Sequence, residues 1–214
     1  METERIRLKT VGLSMAVILI IEALATLLNN HGTAPIFIIG GARSLEIILL
    51  PVICYLTEPS GIKTLGILPK RVWSGLVRGF LWSAGFGLMV GLAAVILMIA
   101  GLHAADLITA NFPSKQPDLF FFLMVGGIVS PVAEEIFFRG MLYGYFRRWG
   151  IWAALLLSTV VFVMAHAIFH RVPLPQIVGG ILFAVAYEKE KNLMVPITIH
   201  VLGNLAIFAV ALFK

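Results

Sequence analysis

Seven long apolar runs dominate the chain and restrict it to one class of fold. They cover roughly residues 11–29, 36–57, 73–101, 119–146, 151–169, 174–188 and 193–213. A helix needs about 20 mostly apolar residues to cross a bilayer. Backbone N–H and C=O groups in lipid must be bonded internally, which leaves only helices and closed barrels. Barrel strands would alternate in polarity over segments of about ten residues, and these runs do not alternate. The expectation is an all-α, polytopic transmembrane helix bundle of about seven spans. Composition agrees. The chain is 60% hydrophobic and 13% charged, with a mean hydropathy of +0.99, whereas a soluble domain carries about 25% charged residues.

The net charge of +5 would also suit a nucleic-acid binder. The basic residues, however, lie in short loops between apolar runs, which is how membrane proteins fix their orientation. No nucleic-acid partner is expected; the bilayer is the partner. With the N-terminus inside, the inner loops hold 11 of the 16 Lys and Arg residues, and the outer side holds Lys115, Arg171 and Lys214. That bias predicts N-in, C-out. No small-residue cleavage site follows the run from Val11, so it is expected to be a retained helix rather than a signal peptide. The ending Leu212-Phe213-Lys214 holds no lipidation motif. Cys54, inside an apolar run, is expected to be a core thiol.

The connection 102–118 contains His103, Asp106, Asn111, Pro113 and Pro117 and is the natural divide. Residues 1–117 read as N-terminal transmembrane helices with few polar groups. Residues 118–214 carry nearly all the chemistry.

An ionisable side chain at the bilayer centre costs about 2.5–3.5 kcal/mol or more, so it faces the protein interior and points to function by default. In the fourth run, Glu135 and Arg139 are four apart and share a helical face. Their ion pair satisfies both charges locally, a structural role. Glu134 is rotated about 100° away. It must find a partner on another helix or take up a proton. In the fifth run, His166 alone reads equally well as a hydrogen-bonded core residue. Phe162, one turn earlier, is expected to pack. In the last run, His200 and Asn204 are four apart and aim at one place. Two converging donors suit an oxyanion that develops there, although polar side chains also join membrane helices. Arg43 and Glu46, three apart, can pair with each other. Glu22 has no obvious local partner. His103 and His170 read as solvated, and His31 as part of a helix-end turn.

Together, Glu134-Glu135-x-x-x-Arg139, Phe162-x-x-x-His166 and His200-x-x-x-Asn204 resemble the signature of the CPBP family, the CAAX-protease and bacteriocin-processing intramembrane proteases. Arg139-Gly140-Met141-Leu142-Tyr143-Gly144 and Pro196-Ile197-Thr198-Ile199-His200 also resemble the family, and the likeness covers roughly residues 118 to 210. It implies a catalytic helix bundle over 118–214 that works as a glutamic-type intramembrane endopeptidase. Glu134, aided by His166, would activate water; His200 and Asn204 would stabilise the oxyanion; Glu135, Arg139 and Phe162 would support the site. It implies no cofactor, and a membrane-associated protein or peptide as substrate. No Ser or Cys forms an evident nucleophile pair, Ser130 and Ser158 included. The short chain, without organelle signals, favours the cytoplasmic membrane of a prokaryote.

Other readings use the same residues. Glu134, His166 and His200 form a two-His, one-carboxylate set that could hold zinc, although the short His-Glu-x-x-His signature is absent. Buried Glu and His also form proton relays in transporters, but paired repeats are absent. A non-catalytic membrane chaperone or immunity protein could keep the fold and bind a peptide without cutting it. Depth poses a difficulty for a single site. At about 1.5 Å per residue, His166 lies some 22 Å from 151 and His200 about 10 Å from 193. Straight, upright helices would set them at different levels.

Overall fold

The computed structural model describes residues 6–29, 35–102, 112–166 and 174–213. His31, His103, Asp106, Asn111, His170 and Arg171 lie outside the described residues. Among those described, the chain is all helical, with no strand. Seven helices follow in order: α1 (Leu8–Asn29), α2 (Pro35–Thr57), α3 (Val72–Ile99), α4 (Gln116–Trp149), α5 (Ile151–Ala165), α6 (Leu174–Glu190) and α7 (Met194–Leu212). Five of them, α1, α2, α3, α4 and α7, are long and apolar enough to cross a membrane; α5 is a shorter apolar helix of 15 residues. The α6 helix ends in the polar run Glu188-Lys189-Glu190. All seven expected runs are therefore helical, but only five have the length and composition of a span.

The helices α1 and α2 pack as a pair, and the start of α1 is tied to the end of α2 at Glu58. Its Oε1 accepts from the Arg7 amide at 2.8 Å and from Thr10 Oγ1 at 2.5 Å. Arg148, at the end of α4, donates to the Ile6 carbonyl at 2.7 Å, so the start of α1 is held against the second half. Cys54 is buried, as a core thiol should be.

Small residues set the closest contact, between α3 and α7. A Cβ on Gly75 would sit 2.6 Å from Asn192 Nδ2, and one on Gly79 would sit 2.5 Å from Thr198 Cβ. Only glycine admits that approach, the usual device where helices meet without a hydrophobic drive between them. Asn192 Nδ2 donates to the Arg71 carbonyl at 2.9 Å, and the Leu193 amide donates to Gly66 O at 3.1 Å. The N-terminus of α7 is thus pinned to the connection that precedes α3. Elsewhere α3 is a lipid-type surface, exposing Leu81, Leu88, Met89, Ile96 and Ile99.

The core surrounds the second half of α4. Every residue from Ile136 to Gly144 is buried, packed by Phe162, Phe183, Tyr187 and Leu193 from α5, α6 and the start of α7.

Candidate active site

The α4 helix is not a uniform α-helix. Wider π turns occupy Val125–Val129 and Ile136–Tyr143, on either side of a regular segment Ser130–Glu135. Such turns recur at functional sites because they redirect side chains. Pro131 gives the first turn a further effect. The Ser130 amide donates to Val125 O. The next amide in that register belongs to Pro131, which has no N–H. The Gly126 carbonyl is left without that donor, and Asn204 Nδ2 of α7 supplies one at 2.9 Å.

Glu134 projects from the regular segment toward two other helices. Its Oε2 lies 3.5 Å from His166 Nε2 and 3.8 Å from His200 Nε2. The three side chains come from α4, from the residue that caps α5, and from α7. The expected obstacle of depth is removed by where α7 begins. The α4 helix ends at Trp149 and α5 starts at Ile151, so Glu134 and His166 are both about 22 Å from that turn. The α7 helix starts well inside that level. Leu193 lies beside Gly140, where a Cβ would come 3.7 Å from Leu193 Cδ2. From that shared level, Glu134 and His200 are each about 10 Å further along their helices.

The far nitrogens of both imidazoles are committed. His166 Nδ1 meets Phe162 O at 2.8 Å, and His200 Nδ1 meets Glu135 Oε1 at 2.8 Å. Both partners are acceptors, so each Nδ1 carries a proton, and each ring turns Nε2 to Glu134. Orientation of one imidazole nitrogen by a bond at the other is a recurring device at functional histidines. The site is not sealed, for the Glu134 and His166 side chains remain 16% and 28% exposed.

Glu135 and Arg139 pair as the spacing requires, Nη1 to Oε1 at 2.9 Å, and both are fully buried. The same Oε1 also takes His200 Nδ1, so this carboxylate positions the site besides neutralising Arg139. Arg139 Nη2 donates to Gly180 O at 3.2 Å, and the guanidinium carbon lies 4.5 Å from the Phe162 ring centre and 5.1 Å from that of Phe183. Aromatic faces and a backbone carbonyl make burial of this cation tolerable. Phe162 packs as expected, its ring centre 4.5 Å from that of His166. Phe183 stacks on His200 at 4.5 Å and 23°; nothing in the apolar run of α6 marks it out.

Arg43 pairs with Glu46 as its spacing allows and also reaches a residue with no obvious local partner. That residue is Glu22, which meets Arg43 Nη2 at 2.8 Å across the α1–α2 pair. Arg43 also keeps Glu46, at 2.7 Å. Among the described residues, no group of three or more His, Cys, Asp or Glu side chains has the arrangement of a metal centre.

Comparison with known proteins bears on the same part of the chain. Residues 116–206 match the family model described as Type II CAAX prenyl endopeptidase Rce1-like. A 24.3 kDa protein of Escherichia coli is 28% identical over 58% of this chain and 63% of its own length. YdiL of Bacillus subtilis is 34% identical over 38% of this chain and 34% of its own. The membrane-embedded CAAX protease MroQ of Staphylococcus aureus is 28% identical over 56% of this chain and 53% of its own. The matches thus span from one third to under two thirds of these relatives' lengths. No solved structure matches the chain significantly. Residues 116–206 of this multi-pass membrane protein are thus similar to the Rce1-like CAAX protease family.

Proposed function

We propose that the protein is a glutamic-type intramembrane endopeptidase of the bacterial cell membrane that hydrolyses peptide bonds in membrane-associated proteins or peptides. The observation that carries this reading is the convergence of two imidazole Nε2 atoms on one carboxylate oxygen, at 3.5 and 3.8 Å, from three separate helices. The name of MroQ, a membrane-embedded CAAX protease, points the same way.

Water seated between Glu134 and His166 loses a proton to this pair as its oxygen attacks the substrate carbonyl carbon. The carbonyl electron pair moves onto oxygen. That oxyanion is met by the Nε2–H of His200 in its imidazolium form, protonated at both ring nitrogens, and by the second N–H of Asn204 Nδ2, whose first N–H is spent on Gly126 O. Donors fixed before the reaction stabilise such charge without reorganising. The proton held at Glu134 then passes to the departing nitrogen, the C–N bond breaks, and an acid and an amine result. No covalent enzyme intermediate is needed. Residues 118–214 form the catalytic bundle, and the helices of residues 1–117 complete its walls.

The test is comparative proteomics of the host membrane with wild type against Glu134→Ala. Under this reading, one or more precursors accumulate in the variant, and the purified wild-type protein in liposomes cuts them. Unchanged processing in Glu134→Ala, His166→Ala and His200→Ala alike would overturn it.

A further inference from the structure

The mechanism leaves one group of intramembrane charges unused. Glu22 of α1 and Arg43 and Glu46 of α2 form a three-residue cluster in which a single guanidinium meets two carboxylates. Arg43 Nη2 lies 2.8 Å from Glu22 Oε1, and Nη1 donates to Glu46 Oε2 at 2.7 Å. The cluster borders the catalytic carboxylate. The α2 helix packs on the α4 segment that carries Glu134, and Arg43 and Glu46 both interact electrostatically with Glu134. Two carboxylates therefore share one fixed cation at this wall of the site, with Glu134 on the helix packed against it.

A second observation concerns Glu46 itself. It is only 3% exposed, and its Oε1 is buried with no hydrogen-bond partner among the described residues. A buried acceptor without a donor is unfavourable, the more so when it is charged. The excess of negative charge sets the sign of the missing partner, and the orphaned oxygen sets its hydrogen-bonding type. Arg43 holds the two carboxylates together but offers neither hand to a substrate, because both of its terminal nitrogens are engaged.

We propose that the Glu22–Arg43–Glu46 cluster is a subsite for a basic side chain of the substrate, Lys or Arg, beside the bond to be cut. Glu46 Oε1 accepts from its ammonium or guanidinium group, and Glu22 supplies the second negative charge. This specificity rests on the protease reading above and adds a substrate class to it.

The test uses the purified full chain in liposomes, with single-span reporter peptides that carry Lys, norleucine or Glu at each position around the cut. At one position, wild type should favour Lys over norleucine by about tenfold in kcat/KM, the scale of a hydrogen bond to a charged group. In Glu46→Gln that ratio should fall to near one, and the Glu peptide should become a better substrate because Arg43 is released. A merely structural role for Glu46 would slow all three peptides together and leave the ratios alone. A flat ratio in wild type, or an unaltered ratio in a folded Glu46→Gln, overturns the subsite while the protease reading stands. Norleucine peptides cut no faster by wild type than by Glu134→Ala overturn both.

Discussion

Glu135 Oε1 and His200 Nδ1 stand 2.8 Å apart, and the same oxygen holds Arg139 at 2.9 Å. One buried carboxylate thus neutralises a guanidinium on its own helix and orients an imidazole on another. The two functions separate in mutants. Arg139→Ala leaves Glu135 buried with its charge uncompensated and should destabilise the protein by about 3–5 kcal/mol, read as thermal unfolding in detergent. Glu135→Gln keeps an acceptor near both partners. Arg139 then keeps Gly180 O and the faces of Phe162 and Phe183, so this variant should melt closer to wild type than Arg139→Ala and lose kcat with little change in KM. Equal melting losses in both variants would contradict the separation.

Asn204 closes the Gly126 carbonyl that Pro131 leaves open, and this predicts a non-additive pair. Asn204→Ala should cost about 1 kcal/mol in stability, the low end of the penalty for an unmet acceptor because Gly126 is only partly buried. Pro131→Ala restores an N–H at the position facing that carbonyl. In a double-mutant cycle the cost of Asn204→Ala should shrink in the Pro131→Ala background. Activity should not recover with stability, since the alanine leaves the oxyanion with one donor fewer, a loss of about 10²–10³ in kcat. Strict additivity of the melting data would refute the shared carbonyl.

Chelators discriminate between the two uses of Glu134, His166 and His200. Under the water-activating reading, cleavage by protein purified through exhaustive metal removal should stay within about twofold of the untreated rate. A loss restored by added zinc would convert the trio into a metal centre.

At the C-terminal end of α6, Glu190 receives Arg78 and Trp82 of α3, the indole Nε1 at 3.1 Å. Partial burial pushes its carboxyl up, but the bonds from Arg78 and Trp82 and the charges of Arg78 and Lys189 outweigh this and hold it below the usual carboxylate range. A group depressed on folding stabilises above its unfolded pKa, and the gain is lost as pH falls through the folded value. The clasp between α3 and α6 should therefore hold at neutral pH and open only in acid, below about pH 4. Emission from Trp82, with the other tryptophans replaced by phenylalanine, should shift in that range, and Glu190→Gln should abolish the shift.

Helix positions and the polar residues of the second half were legible because each depends on local chemistry. Apolar length sets a helix, and four-residue spacing sets the Glu135–Arg139 pair. The partnership of Glu135 with His200 was not legible, because it depends on how far α7 starts inside the level of the α4–α5 turn. Glu22 has no obvious local partner in the sequence, and its pairing was not legible because Arg43, already matched to Glu46 by spacing, had a second hand free for a neighbouring helix. The bond from Asn204 to Gly126 follows from Pro131 only once the π turn at Val125–Val129 is known. Phe183 left no trace in an apolar run where any aromatic reads as packing.

The order in which the chain is synthesised gives these contacts a history. Glu135 and His200 are 65 positions apart. At about 5–20 residues per second, some 3–13 seconds separate their emergence from the ribosome. Glu135 enters the bilayer with Arg139 on the same helix and is neutralised from the start. Glu134 has no such companion and must wait for α5 and α7 to arrive. The arrival of α7, locked by glycine contacts to a helix made long before, is therefore the step that sets His200 against Glu134.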